Sequence, residues 1–437
     1  MRVVFQDRDL LLAFAAGNGA GRVDDCHFPI ILARASICQM RIFVLGFPHT
    51  QTVDPRDEDI VNLCPFTEQV GNFIIMMHRL GHEVIHIGMP GSKPPEGVEH
   101  IDAMDQQWWD VLYGWRDPLA PFILSRVDAY GRQWDMYEEN VRKILLERGG
   151  DSYTSIVACL WGHQGCVKDI PQIVVECGIG SPHAHAPFRV YLSNAWRHFH
   201  EGVAQNYKGD KWWHQVIPLA LNLDMFGPVV PTADKHLNGS PYFLVQTRML
   251  EPKGVRLAVQ VARELQTPII LTGRDDKHMA DSFVAEWPTG AQYAGISTPR
   301  VRRELMRHAK ALLSPSRYVE PYGAVAIEAM ASGCPVISTD FGGYVDTVVH
   351  GYTGWRCNTF EEFVWAARNV DKIDPFVCRE WIEKNHSFDV VGRAYEDYFT
   401  SLLRLNSGKG FLDAEPAAGR TMLGRAFRDY SMFGKRG

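Results

Sequence analysis

The feature that most constrains the fold of this chain is a repeated alternation of short apolar segments with longer amphipathic ones. The apolar segments are four to six residues long and rich in Val, Ile and Leu, which is typical of strands buried on both faces of a parallel sheet. Several of the segments between them carry apolar residues at helical spacing. Strands that alternate with helices of this kind predict an α/β protein with doubly wound parallel sheets.

The alternation occurs in two series. The predicted strands are 41–46, 84–88, 155–160 and 172–177 in the first series, and 242–245, 268–272, 292–295, 311–314 and 335–339 in the second. The predicted helices are 66–80, 255–265, 299–309 and 321–332. Residues 216–226 are predicted to be a strand that closes the first series, and Pro228 and Pro231 mark a boundary after it. Because ligands bind at the carboxyl ends of such strands, the two sheets are expected to face each other across a cleft.

The series divide the chain into four predicted parts. Residues 1–39 are predicted to be a flexible leader, since their Gly-rich segment follows no strand, and Met40 would be a more natural start. Residues 40–230 and 231–390 are predicted to be the two α/β domains. Residues 391–437 are predicted to contain a helix that returns to the first domain, followed by a loosely held basic tail.

Composition excludes several classes of protein. The 437 residues carry 45 Lys and Arg against 51 Asp and Glu, so a basic nucleic-acid binder is disfavoured. Nine cysteines without a Cys-x-x-Cys pair predict reduced thiols and a cytoplasmic location. No apolar segment approaches 18 residues, so no integral membrane contact is expected.

The most informative motif follows the predicted strand 311–314. Pro321 suits the first position of a helix, which would place the amides of Tyr322, Gly323 and Ala324 in its first turn. The unpaired N–H groups and the dipole of a helix make such a turn an anion site. Glu320 lies in the loop immediately before it.

Glu328 lies two turns into the same predicted helix, among Ala, Val, Ile and Met residues. A carboxylate in such surroundings is costly unless it is hydrogen-bonded or paired. One interpretation is a salt bridge or a cap on the backbone. The other is a carboxylate that accepts hydrogen bonds from ligand hydroxyls, as in ribose recognition at the edge of a sheet.

Arg248 and Lys253 lie five residues apart, after the first strand of the second series. An arginine fork and a lysine point charge in one loop can converge on a pyrophosphate. The alternative for either residue alone is a solvated surface charge. Because both this loop and the Glu320 motif follow strands of one predicted sheet, their combination is more specific than either part.

At this point the sequence resembles the retaining GT-B glycosyltransferases, and glycosyltransferase family 4 in particular. Four features match in order: 216–226, Arg248 with Lys253-Gly254, the Glu-x7-Glu of Glu320 and Glu328, and the Gly-containing segment 341–354. The match is specific over roughly 216–360 and architectural over 40–215. The resemblance implies a GT-B fold, in which two Rossmann-like domains face each other, the first binding the acceptor and the second the donor.

The resemblance also implies roles for residues. Arg248 and Lys253 would bind the donor diphosphate, Glu320 the transferred sugar and Glu328 the ribose. The remaining donor contacts would come from Tyr322, Gly323, Ala324, Gly273, Gly295 and Ile296. The donor would be a nucleotide-diphosphate sugar, either a UDP-sugar or a GDP-sugar, with no obligatory cofactor or metal and no enzyme nucleophile.

The first half of the chain departs from the family. Many relatives have a catalytic His where this chain has Gly178, so His163, His183 and His185 are the alternatives, each of which can equally be a hydrogen-bonded loop residue. The usual Gly-Gly of the first loop is replaced by a segment that begins at Gly46. Thr67 is a further candidate for the donor's phosphate side, together with Gln69.

The acceptor is not identified by the sequence. Residues 41–230 hold eight of the 12 Trp and carry a net charge of −8, without a basic amphipathic patch, which favours a soluble hydroxyl compound over a lipid acceptor. The Trp residues are core residues or ring-binding surfaces. A hydroxylated base of viral DNA is a second acceptor class, but the charge disfavours it.

Other functions remain open on the sequence. A GT-B-fold sugar-nucleotide epimerase would need acid and base residues around the donor sugar, and a phosphorylase would normally need a lysine that holds pyridoxal phosphate. We can assign neither in this sequence. A non-catalytic sugar-nucleotide-binding protein is consistent with the missing His at Gly178. A nicotinamide dehydrogenase is the weakest alternative, because neither first loop has its Gly-rich fingerprint. The acidic triplets 7–9 and 57–59 are interpreted as solvated charges rather than metal ligands.

Overall fold

A computed structural model describes residues 39–52, 54–56, 64–113, 131–149, 153–160, 164–203 and 213–406. The predicted leader up to residue 38, the predicted basic tail, the acidic triplet at 57–59 and His163 lie outside these residues. Among the described residues, no helix combines the length and the apolar character needed to cross a membrane.

The first half of the chain forms a parallel sheet of seven strands in the order β3-β2-β1-β4-β5-β6-β7. The strands are β1 (Arg41–Leu45), β2 (Glu83–Gly88), β3 (Glu99–Asp102), β4 (Ser155–Cys159), β5 (Ile173–Ile179), β6 (Phe188–Tyr191) and β7 (Gln215–Val216). The helices are α1 (Pro65–Arg79), α2 (Gln106–Tyr113), α3 (Arg132–Arg148) and α4 (Asn194–Val203). The central strands are apolar throughout because side chains of both faces are buried, as in β4.

The second half forms a parallel sheet of six strands in the order β10-β9-β8-β11-β12-β13. These are β8 (Phe243–Gln246), β9 (Ile269–Thr272), β10 (Ala291–Tyr293), β11 (Ala311–Ser314), β12 (Val336–Thr339) and β13 (Gly354–Cys357). The helices are α5 (Val255–Glu264), α6 (Ala280–Val284), α7 (Pro299–His308), α8 (Ala324–Ala331), α9 (Tyr344–Thr347) and α10 (Phe360–Arg368). The strands predicted from the apolar segments are confirmed to within two residues at each end.

Both sheets reverse their winding direction at one point. The chain moves outward from β1 through β2 to β3 and then returns to β4 on the other side of β1, and it does the same from β8 through β10 to β11. The loops after the two strands at such a point diverge and leave a crevice in which α/β proteins bind ligands. In the second sheet, those two loops carry Arg248, Lys253 and Glu320.

Two further helices, α11 (Pro375–His386) and α12 (Phe388–Asn406), end the described chain. Helix α11 packs into the core on one face of the second sheet through Cys378 and Ile382. Helix α12 instead packs into the core of the first sheet, where Tyr395 and Phe399 lie in one apolar cluster with Phe73 of α1. Each sheet has an apolar cluster on both of its faces, so the two halves have separate cores.

The predicted boundaries of two elements are wrong. The helix expected to begin at Pro321 begins at Ala324, because Gly323 at its N-cap has φ +84°, a left-handed conformation that ends the preceding loop. The closing strand expected over 216–226 is limited to Gln215–Val216, and residues Leu223–Met225 form a 3₁₀ turn. Ile217 still donates its N–H to the carbonyl of Tyr191 at 3.0 Å, and Pro218 after it has no N–H for a ladder.

The carboxyl edges of the two sheets contact each other, which confirms the predicted cleft between facing domains. Ser193, before α4 of the first half, donates its hydroxyl to the carbonyl of Pro321 at 2.6 Å. Asn194 donates its amide N–H and its side-chain amide to the two oxygens of Asp346 on α9, at 3.1 and 3.0 Å. The limits predicted for the domains stay predictions.

Candidate functional site

A lysine, a tyrosine and a glutamate meet at the switch point of the second sheet. Lys253, in the loop after β8, donates from Nζ to Oε1 of Glu320 at 2.6 Å and to the hydroxyl of Tyr318 at 2.5 Å. The Tyr318 hydroxyl in turn donates to Oε2 of Glu320 at 2.7 Å. Each member therefore contacts both others, and the orientation of Lys253 and Glu320 is fixed before any ligand binds.

The cluster is largely buried, with 14% of the Lys253 side chain and 9% of the Glu320 side chain exposed. Burial lowers the pKa of Lys253 from its usual value, and the adjacent Glu320 carboxylate opposes that shift. Burial and the same carboxylate raise the pKa of Tyr318, which keeps its hydroxyl protonated. The chemistry available here is a fixed cation beside a carboxylate, with a phenol joining them.

Arg248 lies in the same loop as Lys253 and is exposed. Its charge is close enough to Lys253 to contribute to the lowering of that pKa, after burial. Within the described part of the chain it makes no ion pair, so its guanidinium is available to a ligand. Two cations that lie close together favour an anion with more than one charge, such as a diphosphate.

Glycines permit the loops to approach closely at this edge. Gly254 has φ +72°, and a Cβ there would lie 2.0 Å from the carbonyl oxygen of Pro315. Gly273, predicted to bind the donor, has φ +130°, and a Cβ there would lie 1.9 Å from the carbonyl oxygen of Thr247. No other residue type fits either place, so these glycines hold the Lys253 loop against its two neighbours.

The start of α8 forms one wall of the site. Because the helix begins at Ala324, the N–H groups without helical partners belong to Ala324 and the residues next to it, rather than to a turn that begins at Pro321. Gly343 donates its N–H to the carbonyl of Glu320 at 2.7 Å. Tyr322 faces away from this turn, since it is buried and its hydroxyl lies 3.1 Å from Nδ1 of His386.

Glu328 is paired with an arginine that the sequence had not singled out. Nε of Arg302, on α7, lies 2.9 Å from Oε2 of Glu328, and a terminal nitrogen of Arg302 lies 3.8 Å from Glu68 on α1. Burial raises the pKa of Glu328, and Arg302 opposes that shift. The salt-bridge interpretation of Glu328 is therefore present in the structure, and it extends to the first half of the molecule.

Two more of the predicted donor residues lie at the end of β10. The carbonyl of Gly295 accepts hydrogen bonds from the N–H of Gly273 at 2.9 Å and from the Thr272 hydroxyl at 2.7 Å. Ile296 follows with 39% of its surface exposed. An apolar side chain next to a fixed backbone turn is a suitable surface for a planar ring.

The predicted residues of the first half lie at the facing edge. Gly46 follows β1, and its carbonyl accepts from the Tyr137 hydroxyl at 2.7 Å and from the side-chain amide of Gln164 at 2.9 Å. Thr67 is buried at the start of α1, with its hydroxyl 2.6 Å from that of Thr50. Both are thus held by protein contacts and contribute to the shape of the edge.

Gly178 has φ +63° near the end of β5. His183 is exposed in the loop that follows, and its carbonyl accepts a hydrogen bond from the Ser181 hydroxyl. Glu176 on β5 binds the backbone of the same loop. Its Oε2 accepts hydrogen bonds from the N–H groups of His185 at 2.8 Å and Ala186 at 3.2 Å. Burial raises the pKa of Glu176 to about 7.

Sequence reasoning missed Tyr318 and Arg302. Tyr318 lies two residues before Glu320, in the loop between β11 and α8. That spacing was the available signal. Arg302 lies in a helix with four arginines among ten residues, and nothing in the sequence distinguishes the one that turns inward.

Comparison with known proteins agrees with this geometry. Residues 233–373 match the sequence model of the family described as Glycosyl transferases group 1. The matched region covers less than half of the chain, and it includes Arg248, Lys253, Glu320 and Glu328. The second sheet therefore lies in a region that is similar to the Glycosyl transferases group 1 family, and membership of family 4 stays a prediction.

Curated relatives match only parts of the chain. The D-inositol 3-phosphate glycosyltransferase of Paenarthrobacter aurescens is 28% identical over 199 residues, which are 41% of this chain and 47% of the relative. The chain spans less than half the length of the curated relatives that it matches, from 13% to 47%.

Solved structures match nearly the whole described architecture. Sucrose-phosphate synthase from Thermosynechococcus elongatus has a TM-score of 0.61 at 16% identity, over 84% of this chain and 100% of that structure. The catalytic domain of starch synthase IV from Arabidopsis thaliana, bound to ADP and acarbose, has a TM-score of 0.61 at 12% identity, over 84% of this chain and 99% of that structure. At such low identities the likeness establishes the fold alone, and that fold is GT-B, as predicted.

Proposed function

We propose that this chain is a retaining glycosyltransferase that transfers a sugar from a nucleotide-diphosphate sugar to the hydroxyl of an acceptor. The observation that carries the proposal is the Lys253–Tyr318–Glu320 cluster beside exposed Arg248 at the switch point of the second sheet. The cations would bind the diphosphate, and the carboxylate would accept hydrogen bonds from the transferred sugar. The match of residues 233–373 to glycosyl transferases supports the same assignment.

The protein's part in this reaction is electrostatic. As the bond between the sugar and the diphosphate breaks, negative charge grows on the leaving oxygen, and Lys253 and Arg248 would stabilise it without reorganising. The unpaired N–H groups at the start of α8 would add to this field. The departing phosphate would take the proton of the acceptor hydroxyl on the same face of the sugar, so retention requires no enzyme nucleophile.

Glu328 would bind the ribose hydroxyls of the donor. Its ion pair with Arg302 is compatible with that role, because a carboxylate has two oxygens and Arg302 approaches only Oε2 at 2.9 Å. Arg302 would then orient Glu328 and keep it ionised. Gly295 and Ile296 would lie beside the base.

For the donor we propose a class of compounds, the nucleotide-diphosphate sugars, rather than one particular base and sugar. A UDP-sugar or GDP-sugar was expected from the resemblance, while the solved neighbours include starch synthase IV with ADP and an Anabaena protein with UDP and glucose. We propose metal-independent transfer to a small hydroxyl compound in the cytoplasm. The net charge of −8 over residues 41–230 disfavours DNA as an acceptor.

The deciding experiment measures release of nucleoside diphosphate from a panel of UDP-, GDP- and ADP-sugars, with magnesium and with EDTA. One donor should be turned over by slow hydrolysis even without an acceptor, and Glu320→Gln and Arg248→Ala should abolish the release. Arg263→Ala on the outer surface of α5 is the control and should leave it unchanged. Tight donor binding without release, over all donors and a set of sugar acceptors, would instead show a non-catalytic binding protein.

A further inference from the structure

The loop 181–187 connects β5 to β6 in the first half of the molecule, and side chains hold its backbone from one end to the other. At its start, Nε2 of His200 on α4 donates to the Ser181 carbonyl at 2.9 Å. At its end, the indole N–H of Trp213 donates to the Pro187 carbonyl at 3.2 Å. The loop is therefore fixed in one conformation although it belongs to neither a helix nor a sheet.

Glu176 and Arg189 bind the middle of the loop. They lie directly opposite each other on the neighbouring strands β5 and β6. Oε2 of Glu176 accepts from the N–H groups of His185 at 2.8 Å and Ala186 at 3.2 Å. Arg189 donates from Nε to the Ala186 carbonyl at 2.9 Å and from a terminal nitrogen to the Ala184 carbonyl at 3.3 Å. The two side chains thus bind both N–H groups and carbonyls within three consecutive residues.

The position of Glu176 is a costly one for a carboxylate. Its side chain is 1% exposed, and Oε1 has no hydrogen-bond partner among the described residues. Burial of an acidic group with one oxygen unpaired lowers stability, and an apolar side chain would fill a buried strand at a lower cost. What Glu176 adds over an apolar residue is its hold on the loop.

The loop lies beside the segment that carries Glu320. Ala184 of the loop and Val319, the residue before Glu320, both pack against one apolar cluster, which includes Tyr191 at the end of β6 and Trp196 on α4. The loop belongs to the first half, whereas the Lys253 cluster belongs to the second. A molecule that approaches the sugar proposed to bind at Glu320 from the side of the first half therefore meets this loop.

The exposed surface of the loop has the chemistry of a site for a neutral molecule. Residues 181–187 include no Lys, Arg, Asp or Glu, and the charges of Glu176 and Arg189 are bound to the backbone. Pro182 and His183 are exposed. A proline ring offers an apolar surface, and an imidazole can donate a hydrogen bond to a hydroxyl or accept one from it.

From these observations we propose that the loop 181–187 binds the acceptor, an uncharged polyol, and that Glu176 and Arg189 are the residues that position it. This inference rests on the proposed function. A loop that is already ordered places the acceptor hydroxyl opposite the sugar without an ordering cost at the moment of binding. Glu176 and Arg189 touch neither substrate; they act through the loop backbone.

The test compares transfer to three uncharged probes, glycerol, D-glucose and myo-inositol, from the donor that the wild type turns over. Glu176→Leu removes the acceptor of two N–H groups and should raise KM for the best probe about 10-fold or more, while KM for the donor stays unchanged. Glu176→Gln keeps an oxygen for the same N–H groups and should keep the wild-type KM. The control is Ile173→Val, a buried residue at the opposite end of β5, which should change neither KM.

Hydrogen exchange gives a second readout that needs no turnover. The N–H groups of His185 and Ala186 should exchange faster in Glu176→Leu than in the wild type, because the hydrogen bonds that protect them are lost. In Glu176→Gln they should exchange at the wild-type rate. Mass spectrometry of peptides that contain residues 181–187 measures this contrast in the full-length protein.

The outcomes separate positioning of the acceptor from support of the fold. An unchanged probe KM in Glu176→Leu, an equal loss in Glu176→Gln, or a rise in the donor KM of the same size would overturn the proposal. So would a wild type that uses none of the three probes. Should Glu176→Leu fail to unfold cooperatively, Arg189→Met removes the donors to two carbonyls and carries the same expectations. Failure of the proposed function looks different, because the wild type then turns over no donor with or without a probe, and this inference falls with it.

Discussion

The Arg302 guanidinium lies 2.9 Å from the Glu328 carboxylate, and both side chains are more than four-fifths buried. Arg302 also lies 3.8 Å from Glu68, which belongs to the other half of the molecule. The carboxylate proposed to bind ribose is thus held by a cation that also contacts the opposite wall of the cleft. The proposed recognition of the donor and the contact between the halves therefore share one side chain.

Removing Arg302 should destabilise the protein strongly. Arg302→Ala leaves Glu328 buried without its nearest cation, and breaking such a pair costs about 3 kcal/mol or more. Glu68→Ala is the comparison, because the 3.8 Å contact involves a carboxylate with 35% of its side chain exposed and should contribute less than about 1 kcal/mol. Urea unfolding of both variants measures the difference. Equal losses would mean that Arg302 does not stabilise Glu328 in particular.

Substitutions in the Lys253 cluster should reduce turnover to different extents. Lys253→Ala would remove a cation that we propose binds the leaving diphosphate, and such a loss should reduce kcat by about 10²–10³-fold. Tyr318→Phe removes only the hydroxyl that joins Lys253 to Glu320, so the loss should be about 10-fold, or about 1.4 kcal/mol. Steady-state release of nucleoside diphosphate gives both values. A Tyr318→Phe defect as large as that of Lys253→Ala would assign the phenol a direct role.

Gly273 should tolerate no side chain. In Gly273→Ala the new Cβ would lie 1.9 Å from the Thr247 carbonyl oxygen at φ +130°, and overpacking together with backbone strain should cost about 3 kcal/mol or more. Gly202→Ala is the matched substitution, because nothing lies within 4 Å of its Cβ and it is in helix α4. It should be neutral or stabilise by up to about 1 kcal/mol. Thermal unfolding of the pair tests this contrast.

Glu176 should make stability depend on pH. Burial raises its pKa from 4.5 to about 7, so the folded state binds the proton more tightly than the unfolded state does. Its contribution is complete below pH 4.5 and is lost as the pH rises to about 7, by about 3 kcal/mol. Glu176→Gln should remove this loss, because its amide oxygen can still accept from the His185 and Ala186 N–H groups.

The pH prediction is measured as a difference between two proteins. Burial lowers the pKa of His86 to about 3 and that of His386 to about 4, and such histidines make stability rise with pH over the same range. Their effect is present in both proteins and cancels on subtraction. The wild type should lose stability relative to Glu176→Gln between pH 4.5 and 7. Parallel curves would contradict the assignment.

Nine of the 13 described strands and helices such as α1, α5 and α7 could be predicted because their signals are local. The run from Ile42 to Leu45 has apolar side chains on both faces of the strand, which is expected when both faces of the sheet are buried. In the structure all four side chains are buried. The start of α8 could not be predicted in the same way. Pro321 is a good first helical residue, but the left-handed Gly323 and the close approach of Gly343 to Tyr322 depend on a distant segment of the chain.

The candidate site was predictable in part for the same reason. Arg248, Lys253 and Glu320 were identified because they follow strands that a parallel sheet brings together at one edge. The partner of Glu328 was not, since it depends on how α7 is rotated about its own axis, which only packing decides. His163 lies outside the described residues, and the roles of all these side chains stay predictions until they are measured.

Helix α12 has a consequence for how the protein is made. Residues of α12, among them Val391, Tyr395 and Phe399, complete an apolar cluster whose other members come from the first half, such as Ile42 and Phe73. A ribosome delivers α12 only after the entire second sheet. The half that is synthesised first is therefore the last to close its core, and until then its unfinished face is the surface on which a nascent chain would need protection.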